Sequence, residues 1–503
     1  MHDLYARLRE RALQVPTAPA FVIQGQTYSY HQLWARVAAL ERVLAAAPVV
    51  PEAPFVGVWT ADALDTYAAL IATWGRRWAY VPLNAKFPTA RNRYMLETAG
   101  LRVVVAHQLT PALEALLGEL DAPVQLIVAS LLPDAPPETD LPRPPYAESQ
   151  LAYLLFTSGS TGTPKGVPIA QGNLNRFFAT VCAPNLWGVG EADRFVQMFE
   201  LTFDLSVFST FAPLLVGGCC CTVPEGGISY LQILTTLEEQ QATVALLVPS
   251  VLGYLQPYFD EIELPHLRLS LFCGEALPAK LAAGWRARLP QATVENVYGP
   301  TEATIFCTRY PITDAVAEEA HNGVALIGQP MPGVATVCLD PDTLQPADAG
   351  ELCLGGDQVT PGYWHNPAKN AEAFVQHNGQ RYYRTGDRVR QGPQGHWVYL
   401  GRTDQQVKID GYRVELGEVE HHARELTGQQ QVAVVAAQGT GGAWSLHLFL
   451  EHYAGDLDVL RQAFAAQLPP YMVPRTVTVL EALPLNSNGK IDRPVLRALL
   501  TAP

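Results

Sequence analysis

The chain has 503 residues, of which 48% are hydrophobic and 16% charged, and at roughly 100–200 residues per domain it predicts two to four domains. A net charge of −14 with only 34 lysines and arginines argues against a nucleic-acid partner, whose backbone is bound by cationic side chains. Without an apolar run near the roughly 18 residues of a membrane-spanning helix, or a secretory signal at the start, we expect a cytoplasmic protein with no membrane insertion.

Apolar segments of strand length alternate with helical patterns along most of the chain. Residues 31–46 place Leu33, Val37 and Leu40 on one face, which predicts an amphipathic helix. Segments 243–250, 267–274 and 293–299 have the composition of buried strands. The alternation predicts an α/β fold with layered, largely parallel sheets.

The eight cysteines form no C-x-x-C pair. The triplet Cys219–Cys221 lies in an apolar stretch that resembles a buried strand, where free cysteine acts as a small hydrophobic residue. We therefore prefer a core strand to a metal or redox site.

A domain boundary is predicted near residue 402. Residues 383–402 resemble a strand pair joined by a glycine-containing turn, and a small mixed α+β pattern then restarts. We predict a large N-terminal body of layered α/β subdomains over 1–402. A small, mobile C-terminal lid is predicted over 403–503.

Residues 157–166, TSGSTGTPKG, follow an apolar strand and are dominated by small hydroxyl residues and glycine. Such residues let backbone N–H groups approach an anion closely, and Lys165 adds a positive charge. Pro164 stands where a P-loop would have glycine, so a Walker A loop is excluded. A phosphate-binding loop is favoured over a flexible linker.

Five motifs occur in the order and spacing of a known superfamily: TSGSTGTPKG, NVYGPTEAT (296–304), YRTGD (383–387), GRTDQQVKIDGYRVELGEVE (401–420) and NSNGKIDR (486–493). Together they resemble the adenylate-forming superfamily, which includes acyl-CoA ligases, luciferases and amino-acid adenylation domains. FDLSVF (203–208), FCGEALP (272–278) and YGPTEAT (298–304) look most like the stand-alone amino-acid ligases, and they resemble the D-alanine–carrier protein ligases in particular. The resemblance implies ATP and Mg²⁺ as cofactors and release of pyrophosphate from ATP.

The resemblance also assigns roles to individual residues. It implies a pyrophosphate cradle, a Mg²⁺ ligand at Glu302, an α-phosphate contact at Thr301, adenine recognition by Asn296 and Tyr298, and ribose binding by Asp387 and Arg402. The full set expected at ATP or AMP is Thr157, Ser158, Thr161, Lys165, Gly274, Glu275, Asn296, Tyr298, Gly299, Thr301, Asp387, Arg402 and Lys490.

The lid is expected to act in both half-reactions. By resemblance, Lys490 reaches the substrate carboxylate and phosphate oxygens, and with Thr301 and Glu302 it completes the predicted catalytic set. A hinge near Asp404 then brings Lys408 and Gly411 toward the second substrate. Asp410 stands where a basic or neutral residue is commoner, and we expect this extra anion to weaken the thiol-transfer conformation or to retune it toward another carrier.

The class of acid that the enzyme activates is inferred from Asp204. In amino-acid-activating members an aspartate at this point pairs with the substrate ammonium group, which fatty and aryl acids lack. The alternative is that Asp204 only caps the following helix. We favour the ammonium contact, because a buried carboxylate strongly rejects a substrate without the matching charge.

The remaining pocket positions are apolar or nearly so. They are Leu205, Phe208, Leu246, Leu271, Cys273, Val297, Ile305 and Phe306. The two phenylalanines leave room for a small or compact side chain, and Cys273 matches the cysteine of the D-alanine ligases. D-alanine is the first expectation, L-proline or another small amino acid the second, and an acyl- or aryl-CoA ligase the alternative subclass.

No carrier segment follows NSNGKIDR before Pro503, so we expect a separate phosphopantetheinyl carrier protein as acceptor. A basic cluster for the phosphates of CoA is not evident. The chirality of the amino acid, the carrier, the pathway (cell-wall modification or natural-product biosynthesis) and the oligomeric state stay open.

Overall fold

The structure is a computed structural model, and it describes residues 3–137, 141–159, 163–225, 229–404, 406–439, 444–485 and 491–501. The strands in chain order are β1 Pro19–Ile23, β2 Gln26–Ser29, β3 Phe55–Trp59, β4 Ala79–Leu83, β5 Val103–Ala106, β6 Gln125–Val128, β7 Leu151–Thr157, β8 Lys165–Ala170, β9 Arg194–Gln197, β10 Cys219–Thr222, β11 Val244–Leu247, β12 Leu269–Phe272, β13 Thr293–Tyr298, β14 Thr308–Pro311, β15 Gln329–Pro330, β16 Val334–Leu339, β17 Ala349–Gly356, β18 Phe374–His377, β19 Gln380–Gln391, β20 Trp397–Arg402, β21 Gln406–Ile409, β22 Tyr412–Glu415, β23 Val432–Gln438, β24 Trp444–Glu451 and β25 Thr476–Leu480. The helices are α1 Leu4–Gln14, α2 Tyr30–Leu44, α3 Leu64–Gly75, α4 Thr89–Ala99, α5 Pro111–Gly118, α6 Gln171–Val181, α7 Leu205–Val216, α8 Ser229–Glu239, α9 Pro249–Leu255, α10 Ala279–Arg288, α11 Val316–Glu319, α12 Pro367–Ala373, α13 Leu416–Thr427, α14 Leu457–Gln467 and α15 Arg493–Thr501.

Two large, mostly parallel sheets form the body. The first has the order β15-β14-β13-β12-β11-β9-β10-β1-β2, and its members from β13 to β1 are parallel. The second has the order β6-β5-β3-β4-β7-β8, with only β8 antiparallel to its neighbour. The predicted α/β fold class is confirmed, as are the helix at α2 and the buried strand at Cys219–Thr222.

Helices fill the space between the two sheets. Every residue of α3 is buried, which is the pattern of a helix covered on all sides. Trp74 of α3 lies 4.5 Å, ring centroid to centroid, from Phe211 of α7. This contact joins the layers of the body into one core.

The C-terminal part has its own core. Strands β23, β24 and β25 form a small sheet that packs with α13 and α14 around Val434, Leu448, Phe464 and Met472. The antiparallel β19 and β20 precede it and belong to a third, antiparallel sheet with β16, β17 and β18. The boundary predicted at 402 coincides with the last residue of β20 and stays a prediction. Among the described helices, none is both long and apolar enough to span a bilayer.

Candidate active site

A cavity of about 210 Å³ opens at the carboxyl ends of β12 and β13, where ligands of α/β sheets commonly bind. Gly274 and Glu275 follow β12, and Gly299 follows β13. Seven of the residues that the sequence predicted to bind the nucleotide line this cavity. They are Gly274, Glu275, Asn296, Tyr298, Gly299, Asp387 and Arg402.

The adenine and ribose candidates are connected by hydrogen bonds. The side-chain amide of Asn296 donates to the carbonyl of Leu326 at 2.8 Å, which leaves its oxygen to accept from a purine amino group. Asp387 accepts from the Tyr298 hydroxyl at 2.5 Å and from Arg402 Nη1 at 2.8 Å. Asp387 and Arg402 face each other in the β19–β20 register, so the strand pairing itself places them together.

Glu302, the predicted metal ligand, is fully buried among positive and hydroxyl groups. Arg413 Nη1 lies 2.9 Å from both carboxylate oxygens, the Tyr363 hydroxyl donates at 2.6 Å, and Lys165 Nζ lies 3.9 Å away. Burial alone would raise the pKa of Glu302, but the charges of Arg413 and Lys165 bring this pKa down to about 2. Burial and the nearby Arg413 lower the pKa of Lys165 to about 8.

These residues fit the magnesium ion that the sequence resemblance implies. A carboxylate that stays ionised over the whole physiological range is a hard oxygen ligand, and Mg²⁺ commonly takes one or two carboxylates together with substrate phosphates. Glu302 would hold it in place of Arg413, and the charge of the metal ion would then keep the carboxylate ionised. Within the described residues no group of three or more potential side-chain ligands comes together, so the phosphates would supply further oxygens.

The predicted phosphate loop contacts the lid. The Ser158 hydroxyl donates to the carbonyl of Arg413 at 2.7 Å, and the backbone N–H of Gly159 donates to Glu418 at 3.0 Å. The buried Thr157 hydroxyl has no hydrogen-bond partner. Donors that could bind a phosphate thus meet lid acceptors in this orientation; Thr161 lies outside the described residues.

The turn between β21 and β22 enters the body beside the cavity. Gly411 N–H donates to Glu275 at 2.8 Å, and Glu275 also accepts from the backbone of Ser250 at the start of α9. Gly411 and the preceding Asp410 have positive φ values of 82° and 50°, which aspartate tolerates in a tight turn. Lys408 on β21 lines the cavity, whereas Lys490 lies outside the described residues.

Asp204 directly precedes α7 and is 3% exposed. Its side chain makes no capping hydrogen bond, and its Oδ2 has no hydrogen-bond partner. Burial raises the pKa of Asp204 to about 7, although the Thr301 hydroxyl and the Lys408 ammonium act to lower it. A buried acceptor without a partner costs free energy unless something binds it.

The predicted side-chain pocket is closed in this structure. Each of its apolar members, named above from Leu205 to Phe306, is at most 2% exposed, and of these eight residues only Cys273 and Val297 border the nucleotide cavity. The ring centroids of Phe208 and Phe306 are 5.4 Å apart, and Phe177 lies 4.9 Å from Phe306. Trp187 packs on both Phe208 and Phe306. Only a small group fits beside Asp204 without displacing these rings.

The model of a protein family described as AMP-binding enzyme matches residues 8–364. The chain belongs to this family. The superfamily predicted from the five motifs is therefore confirmed, and the chain is an ATP-dependent, AMP-forming ligase of the adenylation type.

Curated relatives of this adenylate-forming enzyme are much longer proteins. It is 32% identical over 512 residues to tyrocidine synthase 3 of Brevibacillus parabrevis, covering 99% of this chain and 8% of that protein. It is 32% identical over 496 residues to bacitracin synthase 3 of Bacillus licheniformis, covering 97% and 8%. The chain thus spans about 8% of the length of each of these two relatives.

Solved structures of similar length also match the enzyme. The adenylation domain AlmE of Vibrio cholerae, solved with glycyl-adenosine-5'-phosphate, is 28% identical with a TM-score of 0.86, covering 100% of this chain and 98% of that one. Holo-PA1221, which contains adenylation and PCP domains, is 28% identical with a TM-score of 0.84, covering 98% and 84%.

The structure adds two residues of this adenylate-forming enzyme to which the sequence analysis gave no role. Arg413 lies within the predicted 401–420 motif, and its contact with Glu302 spans 111 positions of sequence. Tyr363 follows Pro361-Gly362 and hydrogen-bonds to the same carboxylate. A buried carboxylate needs a positive charge or hydrogen-bond donors beside it. Once Glu302 was predicted to lie in the site, this need was the signal that could have led to Arg413 and Tyr363.

Replacing Gly411 by alanine is expected to slow thiol transfer about tenfold while reducing ATP–pyrophosphate exchange much less. A Cβ there would lie 2.6 Å from Val248 Cγ1, and φ is +82°, so this lid orientation becomes costly. Single-turnover transfer and exchange assays measure the two steps. Gly428→Ala is the control, because φ is +69° but no atom lies within 4 Å of the added Cβ. Equal effects of the two substitutions on transfer would contradict the role of the Gly411 turn.

Proposed function

We propose that this enzyme activates a small amino acid as aminoacyl-AMP and then transfers it to the phosphopantetheine thiol of a carrier protein. In the first step a carboxylate oxygen of the amino acid bonds to the α-phosphorus of ATP, and the bond from that phosphorus to pyrophosphate breaks. In the second step the thiol sulfur bonds to the acyl carbon, and AMP leaves with the electrons of the broken acyl–oxygen bond.

The observation that carries the amino-acid assignment is Asp204. It is a buried carboxylate that interacts electrostatically with Lys408 of the cavity wall. Its side chain makes no capping hydrogen bond to α7, and one of its oxygens lacks a partner. An ammonium group would supply the missing positive charge and hydrogen bonds. A fatty or aryl acid would leave the cost of the buried carboxylate uncompensated.

Residues of the body and of the lid would have separate roles in adenylation. Lys165 and, by resemblance, Lys490 neutralise charge that develops on the phosphates, and Thr301 contacts the α-phosphate. Mg²⁺ held at Glu302 would neutralise and orient phosphate oxygens. Asn296, Tyr298, Asp387 and Arg402 hold the nucleoside, so that the two reactants meet in a fixed orientation.

The closed aromatic pocket supports a small side chain. We propose D-alanine first, because Cys273 matches the D-alanine ligases, with glycine-sized or other small amino acids and L-proline next. The neighbour AlmE, which was solved with glycyl-adenosine-5'-phosphate, supports the small end of this range.

The lid orientation supports transfer to a thiol as the second step. The β21–β22 turn, Lys408 and Arg413 face the body, and lid acceptors take the donors of the phosphate loop. This arrangement fits the stage after pyrophosphate has left. PA1221 contains adenylation and PCP domains, which supports a carrier as the acceptor. We propose a cytoplasmic location, where ATP is supplied.

Amino-acid-dependent ATP–pyrophosphate exchange tests the proposal. The panel comprises glycine, D- and L-alanine, L-proline, bulky amino acids, and fatty and aryl acids without an amine. We expect exchange with small amino acids and at least tenfold less with bulky ones. Exchange only with amine-free acids would support an acyl- or aryl-CoA ligase instead. No exchange with any acid would contradict the proposed activity.

A further inference from the structure

Trp444 of the lid is a large aromatic residue that is partly exposed to solvent. It begins β24 and is 40% exposed. Neither a ring contact nor a hydrogen bond of its indole N–H to any described residue is found. A single exposed apolar residue is common on protein surfaces, so the surroundings of Trp444 decide whether it contacts a ligand.

The exposed side chain of Trp444 faces the nucleotide cavity. Its side chain lines the same cavity as Asn296, Tyr298, Asp387 and Arg402, the nucleoside candidates of the body. The lid adds further wall through residues 406–408 of β21, which lies next to β24. The nucleotide cavity is therefore lined by both parts of the chain in this orientation, and Trp444 is the aromatic ring that the lid contributes.

The chemistry of the ring favours a nucleoside as its ligand. An indole presents a flat, polarisable face, and purines stack on such faces with an energy that depends little on the base. The indole N–H, which donates to none of the described residues, can donate to a ribose or purine acceptor. Its place among residues already assigned to adenine and ribose makes the nucleoside of the adenylate a better occupant than the acyl group or the thiol.

We propose that Trp444 is a nucleotide-binding residue of the lid, which packs against the nucleoside of aminoacyl-AMP or AMP in this orientation. The lid would then hold the adenylate in place during thiol attack and would release AMP as it turns away. The inference depends on the nucleotide cavity and not on which acid is activated.

Binding of AMP alone to the full-length enzyme tests the inference, so its result does not depend on the proposed substrate. By titration calorimetry we expect Trp444→Ala to weaken AMP binding about tenfold and Trp444→Phe to restore most of the loss, because phenylalanine keeps a stacking face. AMP should also quench the tryptophan emission of the wild type, and this change should disappear in Trp444→Phe although eight other tryptophans remain.

Val459→Ala is the matched control, since Val459 is also an exposed apolar residue of the lid and is 62% exposed on α14. It should leave AMP affinity and stability unchanged. Wild-type AMP affinity in Trp444→Ala would overturn the inference, and a loss confined to carrier binding would identify Trp444 as a docking residue instead. An equal loss in the alanine and phenylalanine variants would also overturn it. Failure of the amino-acid panel with an intact Trp444 effect would contradict only the proposed function.

Discussion

Asp204→Asn is expected to lower kcat/KM for the preferred amino acid by about 10³-fold, with AMP binding retained. The substitution keeps the size of the side chain and removes the charge that would pair with the ammonium group. ATP–pyrophosphate exchange gives kcat/KM, and calorimetry gives the AMP affinity. Exchange within about threefold of the wild type would contradict the ammonium contact.

The same substitution is expected to stabilise the empty enzyme at pH 8 by about 1–3 kcal/mol. Burial raises the pKa of Asp204 to about 7 in the folded protein, above its unfolded value of 3.8. A carboxyl group with a raised pKa favours folding below pH 3.8, and this contribution is lost as the pH rises through 7. Asparagine carries no charge at any of these pH values and avoids that loss.

The pH dependence of exchange provides a second measurement at this site. As the pH falls below 7, Asp204 of the free enzyme takes up a proton, and the wild-type kcat/KM should fall with it. The residual activity of Asp204→Asn should not show this transition. A transition near pH 7 in both proteins would mean that another group causes it.

Asp193→Asn is the matched control. Asp193 is also buried, but it binds Arg268 and Thr243 away from the nucleotide cavity. Its loss leaves Arg268 with the carbonyls of Trp187 and Gly188 but without a carboxylate partner, which should destabilise the protein, while kcat/KM of the folded fraction stays unchanged. The two aspartates should therefore change stability in opposite directions, and only Asp204 should affect the reaction.

Glu302→Gln is expected to reduce exchange by about 10²–10³-fold, because the amide cannot replace a carboxylate as a ligand for Mg²⁺ or as a partner for Lys165. The protein should also lose stability on the order of 1–3 kcal/mol, since Arg413 and Lys165 keep their charges beside a neutral group. Exchange at increasing Mg²⁺ concentration and thermal unfolding measure the two effects.

Glu41→Gln separates catalysis from stability. Glu41 is 2% exposed and accepts from Arg143 Nε at 2.9 Å and from the Tyr5 hydroxyl at 2.7 Å, so it is a buried carboxylate with an arginine and a tyrosine partner, like Glu302, but it does not line the nucleotide cavity. It should show a similar fall in stability with exchange unchanged in the folded fraction. An equal loss of exchange in both variants would show that the Glu302 effect is one of folding.

Much of the fold and of the nucleotide site could be predicted from the spacing of apolar residues and from short sequence motifs. The alternation of strand and helix segments predicted the parallel α/β body, because burial on both faces requires continuous apolar strands. Asn296 and Tyr298 share one face of β13 at period two, and both line the cavity at its carboxyl end. Motif spacing brought Asp387 and Arg402 into consideration together, and the β19–β20 register places them opposite each other.

The sequence by itself therefore determined the superfamily, the α/β layers and the small set of polar residues around the nucleotide. Only the tertiary structure decided that the Gly411 turn rests on Glu275, that Arg413 pairs with Glu302, that aromatic rings close the acyl pocket, and that Trp444 borders the nucleotide cavity. The physical reason is that periodicity and turn chemistry act between near neighbours in the chain. The position of the lid, in contrast, depends on charges and surfaces that lie a hundred or more residues apart and meet only after both parts have folded.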